Sequence, residues 1–196
     1  MIAAMMVAAI SANAQNEVGQ LTLMPKAGIN ISTITGSGDG KKAKVGLVAG
    51  IEAEYGIAEN FGLQFGVLYS MEGCKLKDAV VAPGTGASAF LAEKVNVNLD
   101  YINIPILAQY YVTKGFAIKA GIQPAFNVRH KYSGDYSANI DNIKSFNFSI
   151  PVGLSYEYQS FVLDARYNIG VTKLAKEAEE GRNSTFAITI GYKFAL

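Results

Sequence analysis

From Gln20 to the C-terminus, apolar and polar residues alternate with a period of two, segment after segment. A strand sends successive side chains to opposite faces, so this pattern calls for strands with one apolar and one polar face. Eight are read. Leu21–Ser32 sets Leu21, Leu23, Ala27, Ile29 and Ile31 against Thr22, Lys26, Gly28, Asn30 and Ser32. Val45–Tyr55 sets Val45, Leu47, Ala49, Ile51 and Tyr55 against Gly46, Gly50, Glu52 and Glu54. Gly62–Lys75 sets Leu63, Phe65, Val67, Tyr69 and Met71 against Gln64, Gly66, Ser70 and Glu72. The fourth, Val95–Val112, changes phase. Val95, Val97, Leu99 and Tyr101 are odd-numbered, whereas Ile104, Ile106, Ala108, Tyr110 and Val112 are even. A β-bulge near Asn103 and Pro105 is expected to absorb the extra residue. The remaining strands start near Phe116, Phe146, Phe161 and Thr185. Their apolar series are Ile118, Ala120, Ile122, Phe126 and Val128, then Ile150, Val152, Leu154 and Tyr156, then Leu163, Ala165, Tyr167 and Ile169, and last Phe186, Ile188, Ile190, Tyr192 and Phe194.

The polar face decides which β architecture this is. It carries Gly28, Gly46, Gly50, Gly66, Gly121, Gly153, Gly170 and Gly191. Glycine weakens a solvent-exposed strand. Inside a narrow barrel it leaves room for long side chains across the lumen. Charges of both signs share that register: Lys26, Glu52, Glu54, Glu72, Lys119, Arg129, Glu157, Asp164, Arg166 and Lys193. They are expected to form a polar network in the barrel interior. The opposite face is purely apolar and aromatic, as lipid requires. A closed barrel satisfies its backbone hydrogen bonds where an open sheet in hydrocarbon cannot. Links after even-numbered strands are short (Gly56–Phe61, Thr113–Gly115, Gln159–Ser160). Those after odd-numbered strands are long (Ile34–Lys44, Leu76–Lys94, Ser133–Asp141, Lys173–Asn183). That is the transmembrane-barrel pattern of short periplasmic turns and longer external loops. Aromatic girdles follow, with Tyr55, Phe61, Tyr110, Phe116, Tyr158, Phe161, Tyr192 and Phe194 at the periplasmic rim. Tyr69, Tyr101, Tyr132, Phe146 and Tyr167 are expected nearer the outer rim.

The expected fold is therefore an all-β, eight-stranded, antiparallel up-and-down transmembrane β-barrel. It spans residues 15–196 and lies in the outer membrane of a Gram-negative bacterium. Residues 1–14 read as a secretion signal, with an apolar stretch Met1–Ile10 and Ala12-Asn13-Ala14 before Gln15. The chain is only 17% charged, and its net charge of +1 offers nucleic acid nothing to hold.

Three stretches carry a family resemblance: Lys26–Ser32 (KAGINIS), Tyr101–Leu107 (YINIPIL) and Gly191–Phe194 (GYKF). In order and spacing they resemble the PorT-like small outer-membrane barrels, which are related in architecture to the OmpX and OmpA barrels. The resemblance implies the fold, the location and a terminal strand read by the barrel-insertion machinery. It supplies no shared catalytic site.

The chemistry-bearing residues support little else. His130 is the only histidine, so histidine-rich metal sites are excluded. With Ser133 or Ser137 and Glu72 it would make the triad of an outer-membrane lipid hydrolase; a rim histidine is the plainer reading. Cys74 is the only cysteine and falls on the inward face. Glu177, Glu179 and Glu180 form an acidic external loop that would hold a divalent cation bridging lipopolysaccharide, or simply be solvated. The Lys77–Ala92 link, with Val80, Val81, Phe90 and Leu91, is apolar enough to contact an envelope partner. The expected function is a non-enzymatic membrane scaffold presenting external loops for envelope association or adhesion. It would have no catalytic residues, no metal and no cofactor, and its surroundings would be outer-membrane lipid and lipopolysaccharide. The alternatives are a narrow porin for ions or small solutes, the lipid hydrolase, and a soluble lipocalin-like binder.

Overall fold

Hydrogen-bonded pairing carries every long strand onto its neighbour and the last one back onto the first. The computed structural model describes residues 17–35, 41–81, 90–134, 138–139, 145–173 and 182–196. The strands are β1 (Leu21–Thr35), β2 (Lys41–Ala58), β3 (Phe61–Val81), β4 (Phe90–Asn103), β5 (Ile106–Thr113), β6 (Phe116–Gly134), β7 (Ala138–Asn139), β8 (Phe146–Tyr158), β9 (Phe161–Lys173), β10 (Arg182–Tyr192) and β11 (Phe194–Ala195). β4 with β5, and β10 with β11, each act as one barrel strand. β7 is a short ribbon paired to β6 alone. β1 pairs with β10 from Lys26↔Gly191 to Thr35↔Arg182, which closes an antiparallel eight-stranded barrel. Closure removes the sheet edges that lipid cannot satisfy.

The faces follow the alternation. Ile29, Leu47, Ile51, Val67, Leu154, Leu163 and Ile190 are exposed on the outer wall, while Asn30, Glu52, Gln64, Asp164 and Thr185 are buried in the lumen. The interior is the polar side, the inverse of a soluble sandwich. At one end the strands turn within two residues, at 59–60, 114–115 and 159–160. Gly115 adopts φ +80° there, and a Cβ on it would lie 2.4 Å from the Glu157 carbonyl oxygen. Tyr192 stacks edge-on against Phe161 at 5.2 Å and lies 4.7 Å from Phe194, part of the aromatic girdle at this end.

The links at the other end are shorter than the sequence pattern suggests. β3 continues to Val81 and β4 begins at Phe90, so much of the Leu76–Lys94 link is a hairpin rising beyond the barrel wall.

The expected phase change in the fourth strand does not occur. Pairing to β3 runs unbroken from Val81↔Phe90 through Leu68↔Asn103 to Phe61↔Tyr110, so no bulge sits at Asn103 or Pro105. Val97, Leu99 and Tyr101 point into the lumen and are buried, and Tyr101 does not belong to the outer girdle. The extra residue lies in β6 instead, where the register against β4 shifts between Tyr101↔Asn127 and Asp100↔Arg129. An apolar side chain in the lumen costs no hydrogen bond, so alternation alone does not assign its face.

The glycines also act differently from expectation. A Cβ on Gly191 would meet Met24 Cγ at 2.8 Å, as the filled-lumen argument requires, and one on Gly66 would meet the Ile51 carbonyl oxygen at 2.4 Å as well as Glu52 Cγ at 2.6 Å. Most of the others are pressed against the neighbouring strand's backbone. A Cβ on Gly28 would sit 2.0 Å from the Ile188 carbonyl oxygen. Gly28→Ala is therefore expected to lower the unfolding free energy by about 1–3 kcal/mol. Urea unfolding in lipid vesicles checks this, and an unchanged midpoint would show that the strands separate there at no cost.

Candidate functional site

The lumen is filled in three tiers. At mid-height, Glu52 from β2 receives Lys26 from β1 at 2.9 Å and Arg166 from β9 at 2.9 Å. Gln64 donates to the same carboxylate at 2.7 Å. Asp164 gathers Lys119 at 2.7 Å, Arg166 at 3.3 Å and Lys26 at 3.5 Å. Two carboxylates and three cations from four strands thus share one layer, and all five are buried. Period-two geometry puts them there, because each lies on the inward series of its strand. Their mutual pairing offsets the cost of taking charge out of water.

Nearer the short turns, Lys193 bridges Glu157 at 2.6 Å and Glu54 at 3.0 Å. Tyr111 donates its hydroxyl to Glu54 at 2.8 Å, and Gln109 donates an amide proton at 3.0 Å.

Toward the long links, Glu72 is held by neutral donors. Asn103 donates at 3.3 Å, the Thr185 hydroxyl at 3.2 Å, and the Asn183 amide closes the set. Among the described residues Glu72 makes no salt bridge. Val48, Leu68 and Ala187 pack as a small apolar collar between the tiers. A cavity lined by Lys26, Ser70, Asp164, Arg166 and Thr189 has a volume of only about 20 Å³, room for about one water.

Nine of the ten residues expected in the interior lie there: Lys26, Glu52, Glu54, Glu72, Lys119, Glu157, Asp164, Arg166 and Lys193. Arg129 does not. The β6 register shift places it on the outer wall with its side chain 58% exposed, 3.7 Å from Asp100. Sequence reasoning passed over Tyr111, Gln109, Asn103, Asn183 and Thr185 as network members. The odd-numbered inward series of β5 was the available signal for Tyr111 and Gln109. Cys74 is buried. His130 lies in β6 and Ser133 beside it, but their side chains fall outside the described residues, as do those of Val80, Val81, Phe90, Leu91 and Tyr132. Ser137, Glu177, Glu179, Glu180 and residues 1–14 lie outside the described residues altogether. Among the described residues no group of three or more His, Cys, Asp or Glu is placed to hold a metal ion.

Comparison with known proteins agrees with this geometry. Ail, the attachment invasion locus protein of Yersinia pestis, superposes with a TM-score of 0.54 at 14% identity, covering 91% of this chain and 100% of Ail. Neisserial surface protein A superposes with a TM-score of 0.57 at 17% identity, over 89% of this chain and 97% of its own. At these identities the likeness is one of fold. Among curated protein sequences no relative matches. The family profile described as "Outer membrane protein beta-barrel domain" matches residues 13–176. The chain belongs to that family of outer-membrane β-barrel proteins, and its place is the outer membrane of a Gram-negative bacterium.

Proposed function

We propose that this protein is a non-enzymatic membrane scaffold of the PorT-like type, whose barrel holds the external links in place for adhesion or association with other envelope proteins. The observation that carries the reading is the closed lumen. An eight-stranded barrel has an interior just wide enough for side chains to fill. Here two ion-pair tiers fill it, and the cavity on the long-link side of the mid-height tier is about 20 Å³. A lumen filled in this way among the described residues points to the surface beyond the membrane as the working part. The β3–β4 hairpin, Leu76↔Val95 to Val81↔Phe90, continues the paired strands there. Ail, whose fold is shared, is named for attachment and has been crystallised with the heparin analogue sucrose octasulfate, which fits an adhesive role for a barrel of this shape. In this reading the barrel-insertion machinery handles the terminal strand, and lipid and lipopolysaccharide surround the wall.

The test places alanine at Val80, Val81, Phe90 and Leu91 together in cells displaying the full chain. Cell-surface adhesion and co-purification of envelope proteins are then compared with wild type. A roughly tenfold or greater loss is expected, as for truncation of several anchor side chains in one contact, while the heat-shifted gel band of the folded barrel is retained. Binding that survives this variant and the removal of residues 82–89 would overturn the reading.

A further inference from the structure

The outer wall carries a charged feature that a lipid-facing surface does not otherwise need. Asp100 in β4 faces outward, yet only 4% of its side chain is exposed. Tyr69 donates its hydroxyl to it at 2.7 Å, and Arg129 lies over it at 3.7 Å. Beside them the β2–β3 ladder is interrupted between Ala43 and Val48, where β2 holds one residue more than β3. There Lys44 donates to the Glu72 carbonyl oxygen at 2.8 Å.

Bulges re-aim side chains, and two independent ones serve the same place here. The β6 shift brings Arg129 out of the lumen register. Lys44 keeps its register opposite lumen-facing Ser32 of β1 and reaches the groove where the β2–β3 ladder is interrupted. Together with Val45, Leu47, Met71, Asn98 and Asp100 these two cations line a groove of about 350 Å³.

More cations stand around it. Lys131 pairs with Asn98 in the next row. Cys74 faces the lumen, so Lys75 and its cross-strand partner Lys42 take the outer face, and both are exposed. Like charges directly opposite each other destabilise a sheet unless an anion lies between them. Among the described residues the band thus sets Lys42, Lys44, Lys75, Arg129 and Lys131 against one carboxylate, Asp100. Below it the wall is apolar, with Ile31 against Val45 and Ile29 against Leu47.

We infer that this groove is a binding site for a phosphate-bearing outer-leaflet lipid. The apolar floor of Val45, Leu47 and Met71 takes the first part of an acyl chain. Lys44 and Arg129 clamp the phosphate, Asp100 and Tyr69 fix the guanidinium's position, and Lys42, Lys75 and Lys131 supply the surrounding field. The inference deepens the reading above by giving the membrane contact a specific address. It can fail alone, because a scaffold without a lipid site is still a scaffold.

The test titrates the detergent-folded, full-length protein with diphosphorylated lipid A, with the same lipid stripped of its phosphates, and with phosphatidylcholine. Bound lipid is counted by native mass spectrometry. A membrane-proximal cation is worth about fivefold in binding an anionic lipid. Lys44→Gln with Arg129→Gln is therefore expected to weaken lipid A binding roughly 25-fold. Lys114→Gln, in the exposed turn at the opposite rim, is expected to leave it unchanged. If the double variant gives no heat-shifted band, Arg129→Gln alone is read for its roughly fivefold loss. Equal binding of phosphorylated and stripped lipid would overturn the site. So would an equal loss in Lys114→Gln, which would mark a general charge effect. Inorganic phosphate binding as tightly as lipid A would show that the groove takes the free ion and not the lipid.

Discussion

Glu52→Gln is expected to destabilise the folded barrel by about 3–5 kcal/mol, the cost of removing one partner from a buried ion pair. Glu52 is fully buried and accepts from Lys26, Gln64 and both terminal nitrogens of Arg166. An amide in its place keeps the volume and loses the charge. Lys26, Lys119 and Arg166 would then share Asp164 alone. Among the described residues the adjoining cavity is about 20 Å³, room for about one water to solvate the excess. Trp is absent from the chain, so unfolding in urea is best followed by circular dichroism or by loss of the heat-shifted gel band. Glu59→Gln, in an exposed turn, is the matched control and is expected to leave the midpoint where it was. A Glu52→Gln midpoint equal to that of wild type would mean that the mid-height tier does not hold the barrel shut.

That network was legible in the sequence to the extent that period two is reliable. Lys26, Glu52, Asp164 and Arg166 each sit between lipid-facing apolar residues on both sides, so their face is fixed twice over. Arg129 has an apolar neighbour on one side only, Val128, with His130 on the other, and was misplaced because the β6 bulge at Val128 moves it to the other face. A bulge is set by how one strand lies on the next, and nothing in Phe126-Asn-Val-Arg129 announces it. The fourth strand failed for a related reason. Val97, Leu99 and Tyr101 are apolar, and apolarity was taken to mean lipid. The lumen tolerates Val97 and Leu99 because they neither need nor remove a hydrogen bond, Tyr101 brings its hydroxyl in with its ring, and the outward places on that strand went to Asn98 and Asp100. The outer-wall groove was illegible for the same cause, since both of its clamping cations depend on bulges. Asn103, Asn183 and Thr185 around Glu72 were equally hidden: Asn103 sits on the paired β4, and only barrel closure brings Asn183 and Thr185 of β10 to β3.

The closed lumen makes the second large prediction. Ions crossing this barrel would have to pass the Glu54–Lys193–Glu157 tier, with contacts of 2.6 and 3.0 Å, and then the Glu52–Arg166–Asp164 tier, with contacts of 2.9 and 3.3 Å. Each passage would break several charge-assisted hydrogen bonds in a low-dielectric interior, where such bonds are strongest. Lys193 is further braced by Tyr111 at 3.1 Å. Side-chain fluctuation that leaves these pairs formed opens no continuous path.

The most direct measurement is ion conductance of the folded protein in a planar bilayer, with the heat-shifted gel band establishing that the barrel inserted intact. The plugged-scaffold account predicts a silent bilayer for the wild-type chain. Reproducible conductance steps in wild type, altered in size by Arg166→Gln, would contradict it and make this protein a narrow pore.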